Sequence, residues 1–207
     1  GYLTSAVGKM HFYPWDARHG FQYRVACEDK LWAKIQDDYH HYMQSHGLRK
    51  LRWDEYGDYV ANKGAATTDI PWEHSWDRFT GREARRFIDG YEGEGPFALM
   101  VGFPGPHDPY DPAKDFPHKF DARDMPDPIP APADDPAGLR AAHVKARNRM
   151  GMDVMGWTKA GMKDVRAHYA GLVKQIDHEV GEIIDSLRSR GLLENKAIIF
   201  ATDHGDH

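Results

Sequence analysis

Cysteine is almost missing from this chain: Cys27 is the single one among 207 residues. A lone thiol excludes an internal disulfide and any cysteine-based metal cluster. It suits a reducing compartment mildly, although a periplasmic protein can also carry it. An excess of basic residues is missing too. The 27 Lys and Arg stand against 32 Asp and Glu, a formal net charge of −5, whereas a nucleic-acid binder normally shows a basic face or stripe. No apolar stretch approaches a membrane span, and the longest runs are strand-sized. An initiator Met and a signal-peptide pattern are lacking at GYLTSAVGKMHF, and His207 closes directly on a strand-like run with no helix after it. The expectation is an excerpt of a longer protein. What remains is ordinary globular material, 41% hydrophobic and 29% charged, enough for one sizeable domain. Oligomeric state stays open, a homo-oligomer included.

Several segments have a readable period. Residues 2–7 suit a short strand ending at Gly8. In DKLWAKIQDDYHHYMQSH, residues 29–46, Leu31, Trp32, Ile35, Tyr39, Tyr42 and Met43 have helical spacing, and Gly47 is a good stop. Thr80-Gly81-Arg82-Glu83 matches a capping box ahead of a short helix through Phe87 and Ile88. PFALMVGF, residues 96–103, is a continuous apolar run of the type buried on both faces of a parallel sheet. Ten prolines then fall within residues 104–136, which forbids helix or central strand and predicts a long surface loop. From Asp164 to Arg190, Tyr169, Leu172, Val173, Ile176, Val180, Ile183, Ile184 and Leu187 form one apolar stripe of a helix. Ala197–Ala201 reads as a second buried strand. Apolar strands alternating with helices predict an α/β fold with a mostly parallel sheet.

In such sheets the ligand site lies beyond the carboxyl ends of the strands. Three strand-like segments here end in polar, ligand-type residues: Lys9 and His11, then His107 and Asp108, then Asp203 and His204. Asp203 and His204 suit a divalent metal, with Gly205 allowing a sharp bend after them; the plain alternative is a solvated loop or a helix cap. On an extended segment Lys9 and His11 would project to the same side and could grip one anion; singly, each is more often a loop lysine and a core histidine. His107 stands between Pro106 and Pro109 on a stiff turn, which suits a proton donor whose geometry matters. His40, His41, His168 and His178 lie on predicted helices and are set aside, as is Cys27, read as packing. Trp72, His74 and Trp76 could wall a pocket, but core packing is the better reading.

Taken together these pieces resemble the type I sulfatase family of the alkaline-phosphatase superfamily. The matching stretches are GKMH at residues 8–11, FALMVGFPGPHDPY at 97–110, and YAGLVKQIDHEVGEIIDSLRSRGLLENKAIIFATDHGD at 169–206, in the family's order. The resemblance implies an alkaline-phosphatase-like α/β sandwich with helices flanking the sheet. Residues 1–207 would be part of one catalytic domain, with 104–163 a long Pro-rich loop and insertion within it. It implies hydrolysis of a small-molecule sulfate monoester. Asp203 and His204 would ligate a divalent cation. Lys9 would hold sulfate and the nucleophile's oxygen, His11 would take a proton from hydrated formylglycine, and His107 would lie against the bridging oxygen of the substrate. Fixed cations suit such an ester because its charge is spread over several oxygens.

Two departures accompany the resemblance. The family's Cys/Ser-x-Pro-x-Arg nucleophile, converted to formylglycine, has no counterpart here and is expected upstream of Gly1, with the acidic metal ligands that precede it. His204 stands where many members have Asn. Calcium, which prefers oxygen shells, is the first expectation for the metal, with manganese or zinc next because imidazole suits them. The Asp-His form also resembles phosphonate and phosphate ester hydrolases of the superfamily. The rivals are therefore a phosphonate monoester or phosphodiester hydrolase and a non-catalytic binding domain on the same fold. The alcohol portion of the substrate, whether aryl, choline or sugar, is left to loops such as 104–136.

Overall fold

Leu3–Gly8 forms the first strand, β1, with Ser5, Ala6 and Val7 completely buried. It is the centre of a three-stranded parallel sheet, flanked by β2 (Tyr23–Ala26) and β3 (Phe97–Gly102) in the order β2-β1-β3. Gly8 is level with Ala26 on one side and Gly102 on the other, so all three strands stop at the same height. The close approach depends on glycine. A Cβ on Gly8, whose φ is +97°, would lie 2.0 Å from the Gly102 carbonyl oxygen, and one on Gly102 would lie 2.1 Å from that of Lys9. The computed structural model describes residues 1–32, 34–56, 59–93, 95–117, 119–129, 158–202 and 204–205.

The α-helices among the described residues are α1 (Asp38–Ser45), α2 (Trp76–Asp89) and α3 (Lys159–Ser189). α2 and α3 pack on each other and on one face of the sheet, where Phe87, Ile88 and Leu187 meet Leu3, Phe97 and Leu99. Burying each such side chain stabilises by roughly 1.5–3 kcal/mol. The α/β arrangement read from the sequence is the one observed: a parallel sheet with helices against it, alkaline-phosphatase-like in its layers. A second apolar cluster joins Cys27, Tyr39, Met43, Ile70, Trp76 and Phe79 beside the end of β2. Cys27 and Trp76 are packing residues, and burial pushes the Cys27 thiol well up, so it stays protonated.

Several local expectations are corrected. The helix predicted over 29–46 is confined to Asp38–Ser45. Before it, the Asp29 carboxylate accepts from the backbone N–H groups of Leu31 and Trp32, closing a turn that competes with helix, and Asp37 caps α1 through the His40 N–H at 2.9 Å. Thr80 is no cap. It is fully buried inside α2, whose N-cap is Ser75, accepting from Arg78 N–H. The described residues do not cover β3 on both faces, for Ala98 and Met100 are exposed, Met100 to 53%. On α3 the buried stripe includes Gln175 and Glu179, while Val173 is exposed. Glu179 displaces aliphatic residues from that line because Arg78 (2.8 Å) and Arg85 (3.4 Å) reach it from α2. Gly81 leaves room for it: a Cβ there would sit 2.0 Å from the carboxylate.

Ala197–Ala201 is not a strand. It runs irregularly with Ile199 87% and Phe200 81% exposed, and no described strand pairs with it. Strand propensity expresses fit to a neighbouring ladder, and without a ladder it has nothing to act on. Among the described residues, the proline-rich stretch through residue 129 is irregular apart from an isolated β-bridge of Tyr110 to Ala65 and one turn of 3₁₀ helix at Ala122–Asp124, while residues 130–157 of the predicted insertion lie outside the described residues. Among the described residues, no helix is long and apolar enough to cross a membrane.

Candidate active site

Because the three strands end level, the residues that follow them are delivered to one place. Lys9 after β1, Glu28 to Leu31 after β2, and Pro104, His107 and Asp108 after β3 line a single pocket. It sits at the carboxyl edge of the parallel sheet, where open α/β folds hold ligands.

The charges in this pocket are unequal in their commitments. Glu28, 5% exposed, accepts from the backbone N–H groups of Met10 (3.1 Å) and His11 (2.8 Å) and pairs with Arg24 at 2.5 Å. Asp29 is occupied by its turn. Asp108 accepts from the Tyr59 hydroxyl at 2.7 Å and lies 3.1 Å from His107 Nδ1. Lys9 differs: among the described residues, no carboxylate is within ion-pairing reach of its ammonium. An uncommitted cation among committed carboxylates leaves the pocket able to receive an anion.

His107 is on a proline-rich loop that is held from two sides. Its Nδ1 lies 2.8 Å from the Asp108 carbonyl oxygen. A carbonyl only accepts, so Nδ1 carries the hydrogen and Nε2 is the nitrogen left for other partners. Upstream, Gly105 N–H donates to Asp77 at 3.0 Å, and a Cβ on Gly105 would come within 2.5 Å of that carboxylate. Downstream, buried Asp111 accepts from Tyr56 OH at 2.7 Å and pairs with Lys30 at 3.3 Å. Burial pushes the Asp77 carboxyl up to about 7 against the opposing pull of the Gly105 N–H and Lys30. It pushes Asp111 up to about 6, opposed chiefly by Lys30 and Tyr56.

Of the residues expected from the sequence, Lys9 and His107 come together here. His11 does not join them. β1 ends at Gly8 and His11 has a left-handed φ of 55°, so the extended geometry that would point Lys9 and His11 to one side is not present. His11 is exposed, and its backbone N–H is tied to Glu28. His204 is exposed, with Nδ1 2.8 Å from the Gly205 carbonyl oxygen, and Asp203 lies outside the described residues. Among the described residues, no group of three or more His, Cys, Asp or Glu is placed to hold a metal ion. Sequence reasoning missed the third tip, Glu28-Asp29-Lys30, together with Asp77 and Asp111. The available signal was a run of three charged residues directly after the apolar Val25-Ala26-Cys27, but the four residues of β2 are too few to show a period.

Comparison with known proteins places this geometry. A family model described as Sulfatase matches residues 1–207. An arylsulfatase of Clostridium perfringens is 27% identical over 231 aligned residues, spanning 100% of this chain and 44% of that protein. A choline-sulfatase of Rhizobium meliloti is 28% identical over 220, spanning 100% of this chain and 40% of that one. The chain thus covers less than half the length of these curated relatives. The crystal structure of a phosphonate monoester hydrolase of Agrobacterium radiobacter superposes with a TM-score of 0.62 at 19% identity, covering 94% of this chain and 43% of the other. At that identity the likeness is one of fold.

Proposed function

Because the chain belongs to the sulfatase family, we propose that the protein carrying it hydrolyses a sulfate monoester of a small molecule, with the pocket at the strand tips receiving the anionic group. The observation that carries this reading is the Lys9 ammonium, without an ion-pair partner among the described residues, sharing one pocket with His107. Lys9 binds the sulfate oxygens, on which negative charge is spread. His107 lies against the bridging oxygen and, as the imidazolium with a second hydrogen on Nε2, donates that hydrogen to the departing alcohol oxygen, while Nδ1 stays turned to the Asp108 carbonyl oxygen. Residues 1–207 are read as part of one catalytic domain, with 104–163 a long Pro-rich loop and insertion within it.

Formylglycine, expected in the longer protein, would act as nucleophile; a divalent cation would neutralise ester charge. From this chain Asp203 and His204 would be its ligands, with calcium first, then manganese or zinc. The assignment of His11 as the proton acceptor of hydrated formylglycine gains no support from its exposed position outside the pocket.

The test is turnover of p-nitrophenyl sulfate, phosphate and phenylphosphonate by the full-length protein, with elemental analysis of the metal. Sulfate turnover should dominate, and Lys9→Ala should lower kcat/KM by about 10²–10³, the usual cost of one charge-stabilising donor. Preferential turnover of the phosphonate would make this a phosphonate monoester hydrolase on the same scaffold. No turnover of any ester by a metal-loaded wild type would leave a binding domain.

A further inference from the structure

We propose that Lys30 is a positioning residue that sets the place of His107 at the pocket, an inference that rests on the role given to His107 above. Lys30 also lines the pocket, so the first question is whether it could bind substrate directly. Its hydrogen bonds answer that. The ammonium has three N–H donors, and it has three acceptors: the carbonyl oxygen of His107 at 2.5 Å, that of Pro109 at 2.7 Å, and Asp111 Oδ1 at 3.3 Å. The Trp76 ring centroid lies 4.3 Å from the same nitrogen. Lys30 is 6% exposed and fully committed, in contrast with Lys9.

Its targets are informative. Proline supplies no backbone N–H, so a loop written Pro104-Gly-Pro-His-Asp-Pro-Tyr cannot close a dense ladder of its own. The carbonyls on either side of Asp108 therefore need an outside donor, and a single buried cation holds both. One of those carbonyls belongs to His107 itself. Asp111 keeps the cation from being buried alone, and Tyr56 holds Asp111 in turn. The His107 side chain is 63% exposed, so little packing restrains it. The ring's own contact, Nδ1 with Asp108, lies within the same loop, so the backbone that Lys30 holds carries both the imidazole and its partner, and a shift of about 1 Å at a reacting group can cost about 10²-fold.

The experiment measures leaving-group dependence in the full-length protein, using p-nitrophenyl sulfate and phenyl sulfate as esters of a good and a poor leaving group. His107→Ala is the reference and should lose more on phenyl sulfate than on p-nitrophenyl sulfate. Lys30→Met, similar in length but without the charge, should show the same skew: about 10–100-fold lost on phenyl sulfate, within the range of a mispositioned group, and clearly less on the nitrophenyl ester. The double variant should lose little more than His107→Ala alone, because the two act as one unit. Inhibition by inorganic sulfate should be unchanged in Lys30→Met and weakened in Lys9→Ala.

Equal losses on both esters, multiplicative losses in the double variant, or weakened sulfate inhibition in Lys30→Met would each overturn the proposal. If His107→Ala itself shows no skew, the role given to His107 fails, and that outcome is separate from a failure confined to Lys30. Should Lys30→Met not fold, Asp111→Asn is read instead: it keeps the shape while removing the counter-charge, and the same skew is expected of it. A uniform loss in that variant overturns the proposal equally.

Discussion

The loop of residues 104–111 and the stretch of residues 196–205 make an instructive pair. The first is irregular apart from one β-bridge of Tyr110 to Ala65, yet buried groups hold it at several points: Asp77 on Gly105, Lys30 on His107 and Pro109, Tyr59 on Asp108, Tyr56 on Asp111. The second holds the strongest strand signal near the chain's end, AIIFA, yet it forms no strand and leaves Ile198, Ile199 and Phe200 exposed. Order in this molecule follows from where backbone polar groups find partners, not from local propensity. An aperiodic segment is rigid when side chains from four other places satisfy it. A β-rich segment without a neighbouring edge is not.

That contrast can be broken most severely at the strand ends. Gly102→Ala should cost more than about 3 kcal/mol and disperse the pocket, because the added Cβ meets the Lys9 carbonyl oxygen at 2.1 Å, backbone that cannot step aside. Thermal unfolding checks this, and a near-native Tm would show that β1 and β3 need not approach so closely. Next is Lys50→Met. Asp37 pairs with Lys50 at 2.7 Å with both side chains fully buried, and it also accepts from Glu28 N–H at 2.8 Å. Removing the cation leaves a buried unpaired carboxylate, an expected loss of about 3–5 kcal/mol. Replacing both partners by apolar residues should restore much of it.

A smaller effect separates bracing from charge. Asp77 has a folded-state pKa raised to about 7 by burial, above its unfolded value of 3.8. The folded protein therefore holds this proton more tightly than the unfolded chain does, and stability falls as pH rises from about 4 to about 7. Above that the penalty is constant. Asp77→Asn keeps an acceptor for Gly105 N–H, removes the charge, and should flatten the pH dependence in that window. At pH 8 it should gain at least about 1 kcal/mol, a fraction of the roughly 4 kcal/mol that the full shift represents. Lys30, Asp111 and Glu179 face the same carboxylate, so the curve should be read with Asp111→Asn as a control. An unchanged slope would show that Asp77 is already neutral-like or solvated.

The mildest test is hydrogen exchange. Amides of residues 197–202 should exchange within the dead time in the 207-residue chain, while Val7 and Leu99 amides in the sheet stay protected. Protection of 197–202 in the full-length protein alone would show that residues outside this chain supply the missing strand edge.

Much of the frame was legible in the residues. β1, β3 and the long helix have periods or apolar runs long enough to be seen, and GKMH and PGPHDPY mark Lys9 and His107 because polar residues follow strand-like runs directly, His107 between prolines that stiffen its turn. β2 was not legible, since YRVA is four residues whose strand state comes from pairing with β1. Nor was the cap of α2, where both Ser75 and Thr80 offer the right side chain and only the incoming turn at Trp72–His74 decides between them.

From the sequence alone came the α/β class, the exclusion of a disulfide within these 207 residues, and two of the residues that line the pocket, Lys9 and His107. Periodicity and the stiffness of Pro are local properties, and a linear text carries them. The pairing of Lys30 with carbonyls 77 and 79 residues away was settled by tertiary structure alone. So were the commitment of every pocket carboxylate and the fate of AIIFA. Each depends on which distant backbone group arrives within about 3 Å, the reach of a hydrogen bond, and no spacing along the chain encodes that.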